Sequence, residues 1–192
     1  MGRRKKREVL PRKPGTWDTG ISYTDAIDKI LKFIKEKRKE LREQHSKLKE
    51  EQLAKAIVLL IQLANASRIG EAIEAAKKFA NGDKEVYVRV EKRKEDAKRL
   101  MILPDEIKEG DLEVLRKHVD KLYTEVMCNF ARRHFGINTH SLRYATSTHW
   151  VADKGVAPEI VARIQGRKDA KSLYTYMQMS KAEDVLRMVT AK

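Results

Sequence analysis

Apolar positions along the chain repeat at helical spacing over most of its length, and at alternate spacing over one short stretch. From Tyr23 onward Ile27, Ile30, Leu31 and Ile34 recur as one stripe, with Ser22 or Thr24 placed to cap the start. A second helix is predicted over about Glu50 to Asn65, with Leu53, Ile57, Leu60, Ile61 and Ala64 on one face, and a third from Ser67 to Phe79, stopped by Asn81-Gly82. The period then changes: Val86, Val88 and Val90 alternate with Tyr87 and Arg89, as in a half-buried strand. Arg99 to Leu103 forms a second strand ended by Pro104, and the polar stretch Glu91 to Lys98 between them makes an antiparallel hairpin with a charged tip. Beyond Pro104 the helical period returns over about 112–134, 141–153, 158–164, 172–177 and 182–189. No repeat of solenoid length is visible. The pattern predicts a mainly α domain with a small antiparallel β-hairpin, an α+β fold.

Composition narrows the class. The chain has 192 residues, enough to bury roughly 70% of its unfolded surface as one domain. The longest apolar stretch, Ala54 to Ala66, is interrupted by Lys55, Gln62 and Asn65 and falls short of the ~20 residues of a membrane span. No apolar segment of signal-peptide type follows the basic start, and the lone Cys128 excludes an internal disulfide framework and a cysteine-based zinc site. A cytoplasmic protein without a membrane partner is expected.

Charge adds a partner. With 42 Lys and Arg against 28 Asp and Glu the formal charge is +14, which draws phosphate polymers toward the surface. The Glu-Lys interleaving between Glu36 and Glu51 looks like a solvated helix face. The run Arg3, Arg4, Lys5, Lys6 and Arg7 differs, having no acidic neighbour before Glu8, and reads as a nucleic-acid-binding arm. Residues 1–21, which also hold Pro11, Pro14, Gly15 and Gly20, are expected to be a flexible tail or linker, with the folded domain over 22–192.

Four patches carry phosphate-type chemistry. Arg68, in Asn65-Ala-Ser-Arg68-Ile-Gly-Glu71, stands where a core-facing helix begins, with Glu71 one turn on to orient it. His140 and Arg143 are three apart at another helix start, so both project from one face near the positive end of the helix dipole. Gln165-Gly166-Arg167-Lys168 is a helix end followed by a glycine and two cations. Tyr174 and Tyr176 follow, and a tyrosine hydroxyl becomes a competent nucleophile beside cations that stabilise both the phenolate and a pentacoordinate phosphate. Taken singly, each patch is equally an ordinary surface ion pair, helix cap or core tyrosine.

Their order is more specific than any one of them. An Arg in a motif like GLRxxE (here Ser67-Arg68-Ile-Gly-Glu71), a hairpin lysine, H-x-L-R (His140-Ser-Leu142-Arg143) and a box like LGH, with a tyrosine nine residues beyond its last position, resembles the catalytic domain of the tyrosine recombinases, the phage-type integrases. The likeness spans about Tyr23 to Lys192 and is closest in appearance to integrases of archaeal viruses or plasmids. It implies a tyrosine recombinase fold and metal-free DNA cleavage and rejoining through a 3′-phosphotyrosyl link, with no cofactor. The implied catalytic residues are Arg68, Lys94, His140, Arg143, Arg167 and the nucleophile Tyr176. Counting nine from Arg167 selects Tyr176 over Tyr174. The hairpin lysine is Lys94 or Lys92, with Lys98 a further DNA contact.

Double-stranded DNA is the implied partner, with self-association on it as a tetramer and a monomer in isolation. The amino-terminal domain that clamps the other side of the duplex in such enzymes is expected to be absent. Arg167 departs from the family's usual His or Trp: it can donate hydrogen bonds but cannot exchange protons. A topoisomerase of type IB, sharing the chemistry, and a non-catalytic helical DNA-binding module are the alternative readings.

Overall fold

A computed structural model describes residues 20–92, 96–174 and 190. It is mainly helical. In chain order the elements are α1 (Tyr23–Glu43), α2 (Lys47–Ala64), α3 (Ile69–Phe79), β1 (Glu85–Arg89), β2 (Lys98–Ile102), α4 (Glu109–His118), a 3₁₀ turn (Val119–Lys121), α5 (Thr124–Phe135), α6 (Thr139–Thr148), a π turn (His149–Asp153), α7 (Pro158–Ile164) and α8 (Lys171–Tyr174).

The core is built around α2. From Leu53 to Leu63 every residue but Lys55 is buried, so this helix is apolar around its circumference rather than along the single face its spacing suggests. The others present stripes to it. Helix α1 buries Ala26, Ile30 and Ile34, and its start is capped by Ser22, whose hydroxyl accepts from the Asp25 amide at 3.0 Å. Helix α6 is fastened by polar contacts: Thr146 Oγ1 donates to the Leu63 carbonyl at 2.6 Å, and Gln62 Nε2 donates to the Thr139 carbonyl at 2.9 Å. At the far end of α2 the buried Glu50 joins α2 to α4, its carboxylate 3.1 Å from His118 Nε2 and 3.1 Å from His45 Nε2. The His118 hydrogen bond, helped by His45 and Lys117, holds that carboxyl below the usual carboxylate range.

Strands β1 and β2 pair antiparallel, with Val86 opposite Met101 and Val88 opposite Arg99. The side chain of Asn65, at the end of α2, pairs with the outer edge of β2 by donating to the Ile102 carbonyl and accepting its amide, each at 2.9 Å. The hairpin is thereby pinned to the α2–α3 junction. A smaller apolar cluster of Val161, Ala162 and Leu173, with Trp150 and Val156 against it, seats α7 and α8 beside the main core.

One expected helix is two. The stretch predicted as continuous over 112–134 breaks after His118 into the 3₁₀ turn and resumes at Thr124. The break lets Leu115, Val119 and Leu122 from one side and Met127, Phe130 and Ala131 from the other all enter the core, which a straight rod could not curve to do. Helix α6 likewise ends at Thr148, and the residues to Asp153, whose spacing predicts its continuation, form the π turn. The expected helix over 182–189 and most of the basic tail lie outside the described residues. Among the described residues no single helix is long and apolar enough to cross a membrane.

Candidate active site

The site begins at the turn between α2 and α3. Ala66 there takes a left-handed conformation at φ 46°, which swings the chain so that Arg68 stands immediately before α3. Glu71, three residues on, is almost wholly buried and caps this helix start: its Oε2 accepts the Arg68 amide at 3.1 Å and its Oε1 accepts from Arg68 Nη1 at 3.1 Å. Arg68 Nη1 also donates to the Glu91 carbonyl at 2.9 Å, tying α3 to the hairpin.

Two more guanidiniums meet the same carboxylate. Arg99, on the inward face of β2 and 4% exposed, donates through Nη1 to Glu71 Oε2 at 3.2 Å and through Nη2 to the Asn65 carbonyl. Arg143, on α6 and 2% exposed, brings Nη1 to 3.6 Å from Glu71 Oε2, within ion-pair range but beyond a hydrogen bond. Arg68 and Arg143 therefore share one carboxylate despite their separation in sequence. Buried Arg143 Nη1 makes no hydrogen bond to any described residue. Burial, followed by the nearby charge of Arg167, pushes the Arg143 guanidinium down to about 9.

His140 lies one turn before Arg143. Asn138 caps this helix, its Oδ1 accepting the His140 amide at 3.0 Å, so the ring sits at the positive end of α6. Burial, and then the charges of Arg143, Lys92, Arg68 and Arg167, lower the imidazole below its ordinary value, leaving it neutral at pH 7. Lys92 follows β1, exposed and left-handed at φ 64°. Glu91 beside it is half-buried, and burial together with the Glu71 charge raises its carboxyl.

Residues 165–167 complete the group. Arg167 Nε donates to Gln165 Oε1 at 2.5 Å, and Arg143 Nη2 lies 3.4 Å from the same oxygen. Gly166 takes φ 64°, and a Cβ on it would stand 2.5 Å from Val90 Cγ2, so the segment is pressed against the hairpin. Arg68, Arg143, Arg167, His140 and Lys92 are thus in one neighbourhood. Lys98 is not part of it: it starts β2 and lines a groove of about 660 Å³ with Leu100, Ile102 and Trp150. Lys94, Tyr176 and Arg3 to Arg7 lie outside the described residues.

Sequence reasoning passed over Arg99 and Gln165. The sequence alone did not mark Arg99: only the pairing of β2 with Val86 and Val88 of β1 makes Arg99 and Met101 its inward residues. For Gln165 no local signal distinguished a buried amide from a helix-end residue.

Chemically, three guanidiniums meet one buried carboxylate with Arg167 beside them, one of the three has a donor without a hydrogen-bond partner among the described residues, and a neutral imidazole lies alongside. That arrangement can clamp an oxyanion such as a phosphodiester and move a proton next to it.

The chain is 35% identical over 176 residues to "Putative integrase ORF241" of Acidianus two-tailed virus, covering 90% of this chain and 68% of that protein. It is 30% identical over 214 residues to an uncharacterised protein of Methanocaldococcus jannaschii, covering 96% and 94%. It is 27% identical over 207 residues to "Putative integrase V10" of Sputnik virophage, covering 91% of each. No family model matches the chain, and no solved structure matches it.

Proposed function

Because the chain belongs to the same family as the integrase-named protein of Acidianus two-tailed virus, we propose that it cuts and rejoins DNA as a tyrosine recombinase acting in integration. The observation that carries this reading is the meeting of Arg68 and Arg143 on Glu71, with Arg143 Nη1 without a hydrogen bond among the described residues. A scissile phosphate in that neighbourhood would accept donors from both arginines, and Arg167 would add a third. Charge gathering on the phosphorane in the transition state would strengthen these contacts.

In the reaction the Tyr176 hydroxyl loses its proton to His140, neutral and therefore able to take it. The phenolate oxygen attacks phosphorus in line, forming a 3′-phosphotyrosyl bond as the bond to the 5′-oxygen breaks. Lys94 gives that oxygen a proton, releasing a 5′-hydroxyl. Attack by a 5′-hydroxyl from another strand reverses each transfer and restores the diester, so no nucleotide triphosphate is consumed. The duplex partner, the tetrameric assembly on it and the tyrosine recombinase fold belong to the same reading.

The test is trapping on nicked duplexes drawn from a random-sequence library, where loss of the short 5′-hydroxyl strand makes cleavage irreversible. The expected product is a covalent DNA adduct that forms in EDTA and maps to the peptide holding Tyr176. Tyr176→Phe is expected to form none while binding duplex as the parent does. An adduct mapping elsewhere, or cleavage that requires a divalent metal, would reject the mechanism.

A further inference from the structure

Gln165 is wholly buried at the end of α7, and every polar atom of its side chain is engaged. The direction of its amide is fixed by its neighbours. Ser147 Oγ donates its one proton to the Arg143 carbonyl at 2.6 Å, so it can only accept from the amide nitrogen, which it does at 2.7 Å. Gln165 Oε1 must then face the other way, where it accepts from Arg167 Nε at 2.5 Å and lies 3.4 Å from Arg143 Nη2. The ring closes on itself: Arg143 main chain, Ser147 hydroxyl, Gln165 amide, Arg143 side chain. One oxygen thus holds two guanidiniums that repel each other, and it takes Nη2 of Arg143 while leaving Nη1 turned toward Glu71.

We infer that Gln165 is a positioning residue for phosphoryl transfer, anchored by Ser147 and acting through the Arg143 and Arg167 guanidiniums that would bind the phosphate. This rests on the proposed function. A neutral amide suits that role, because glutamate would hold both arginines but cancel charge meant for the phosphate, and leucine would fill the space, release Arg167 and leave Arg143 Nη2 only the residue's own carbonyl at 3.5 Å.

Three measurements separate these cases. In ¹⁵N spectra of arginine side chains, the Arg167 Nε–Hε signal, assigned by its loss in Arg167→Lys, is expected at low field and protected from exchange. Gln165→Leu should lose that protection and slow adduct formation on the nicked duplexes by on the order of 10²-fold, with duplex affinity unchanged. Gln165→Glu should keep the protected signal but bind inorganic phosphate more weakly than the parent. A protected Arg167 signal or a parental adduct rate in Gln165→Leu would overturn the inference, as would loss of the signal in Gln165→Glu. If Gln165→Leu does not fold, Ser147→Ala, benign in a helix, decides: the amide can then turn over, and an unaltered Arg167 signal would overturn the inference. If the parent chain forms no adduct, the recombinase reading fails, while the spectra and the phosphate titration still decide whether Gln165 holds the arginines.

Discussion

A guanidinium as buried as Arg143 is costly unless an anion meets it, and Glu71 already answers to Arg68 and Arg99. The depressed value of about 9 expresses that cost. Bound phosphate should relieve it. At one hundred times its dissociation constant, phosphate should add about 2.7 kcal/mol, raising the Tm by roughly 5–10 °C for a chain of this size. Arg143→Met should be at least as stable as the parent without phosphate and should show no rise when it is added, which a thermal scan in phosphate and in chloride checks. His140 makes a separate prediction. Its ring is neutral in the fold, whereas the unfolded chain takes a proton near pH 6.5. As pH falls from 6.5 toward the folded value, the unfolded state binds the proton that the folded state refuses, so this group's contribution to stability is lost over that window. On the proposed mechanism the rate of adduct formation should decline at the lower end of that window, where the folded ring itself takes a proton, and His140→Asn should remove that acid limb from the pH–rate profile. A midpoint above 6.5 would assign the limb to another group. At this scale Arg68, His140 and Arg143 were legible because their spacing placed each at a helix start. Arg99 was hidden because the adjacent Leu100 and Ile102 suggested the opposite inward face for its strand, and only pairing with β1 decides the register.

Elements carry these residues to one place through a few joints. Asn65 fastens β2, Gln62 and Thr146 fasten α6, and residues 165–167 link α7 to both α6 and the hairpin. Gly166 is the tightest of these joints, since any side chain there meets a left-handed backbone and the Val90 methyls together. Gly166→Ala should cost about 1–2 kcal/mol for the backbone conformation, with the contact adding to it. In Val90→Ala, which removes both methyls, keeps only a Cβ at 3.3 Å and leaves φ unchanged, most of the added part should go. A double-mutant cycle of unfolding free energies reads that coupling directly, and additive values would mean that the segment shifts away rather than pressing on the hairpin. The hairpin, α1 and α3 follow from period and capping, because local signals and tertiary packing agree there. The break between α4 and α5 does not: Leu115, Val119, Leu122, Val126 and Phe130 keep helical spacing straight across it, with no Gly or Pro between. What ends α4 is the curvature of the core it must cover, a property of α2 and its neighbours rather than of residues 119–123.

On the proposed function, the formal charge of +14 sets how the whole molecule would meet DNA. A charge excess of this size hastens encounter with a phosphate polymer and supplies sequence-independent affinity, whereas the proposed cleavage would depend on the placement of a few buried cations. These two roles separate under salt. Exposed lysines and arginines on phosphate release counterions, so each lost contact should lower the log–log salt slope of duplex binding by about 0.9. If all of Arg3 to Arg7 touch phosphate, replacing them with serine should lower the slope by about 4.5 and weaken binding most at low salt. On the proposed mechanism, adduct formation by protein already saturated with duplex should be unchanged, because none of its steps uses the arm. Gln165→Leu should do the reverse, slowing adduct formation while leaving the salt slope alone. Measuring both quantities for both variants tests that division: a slope that survives loss of the five basic residues would place the electrostatic contact on the folded domain, with Lys92 and Lys98 the exposed cations to replace next.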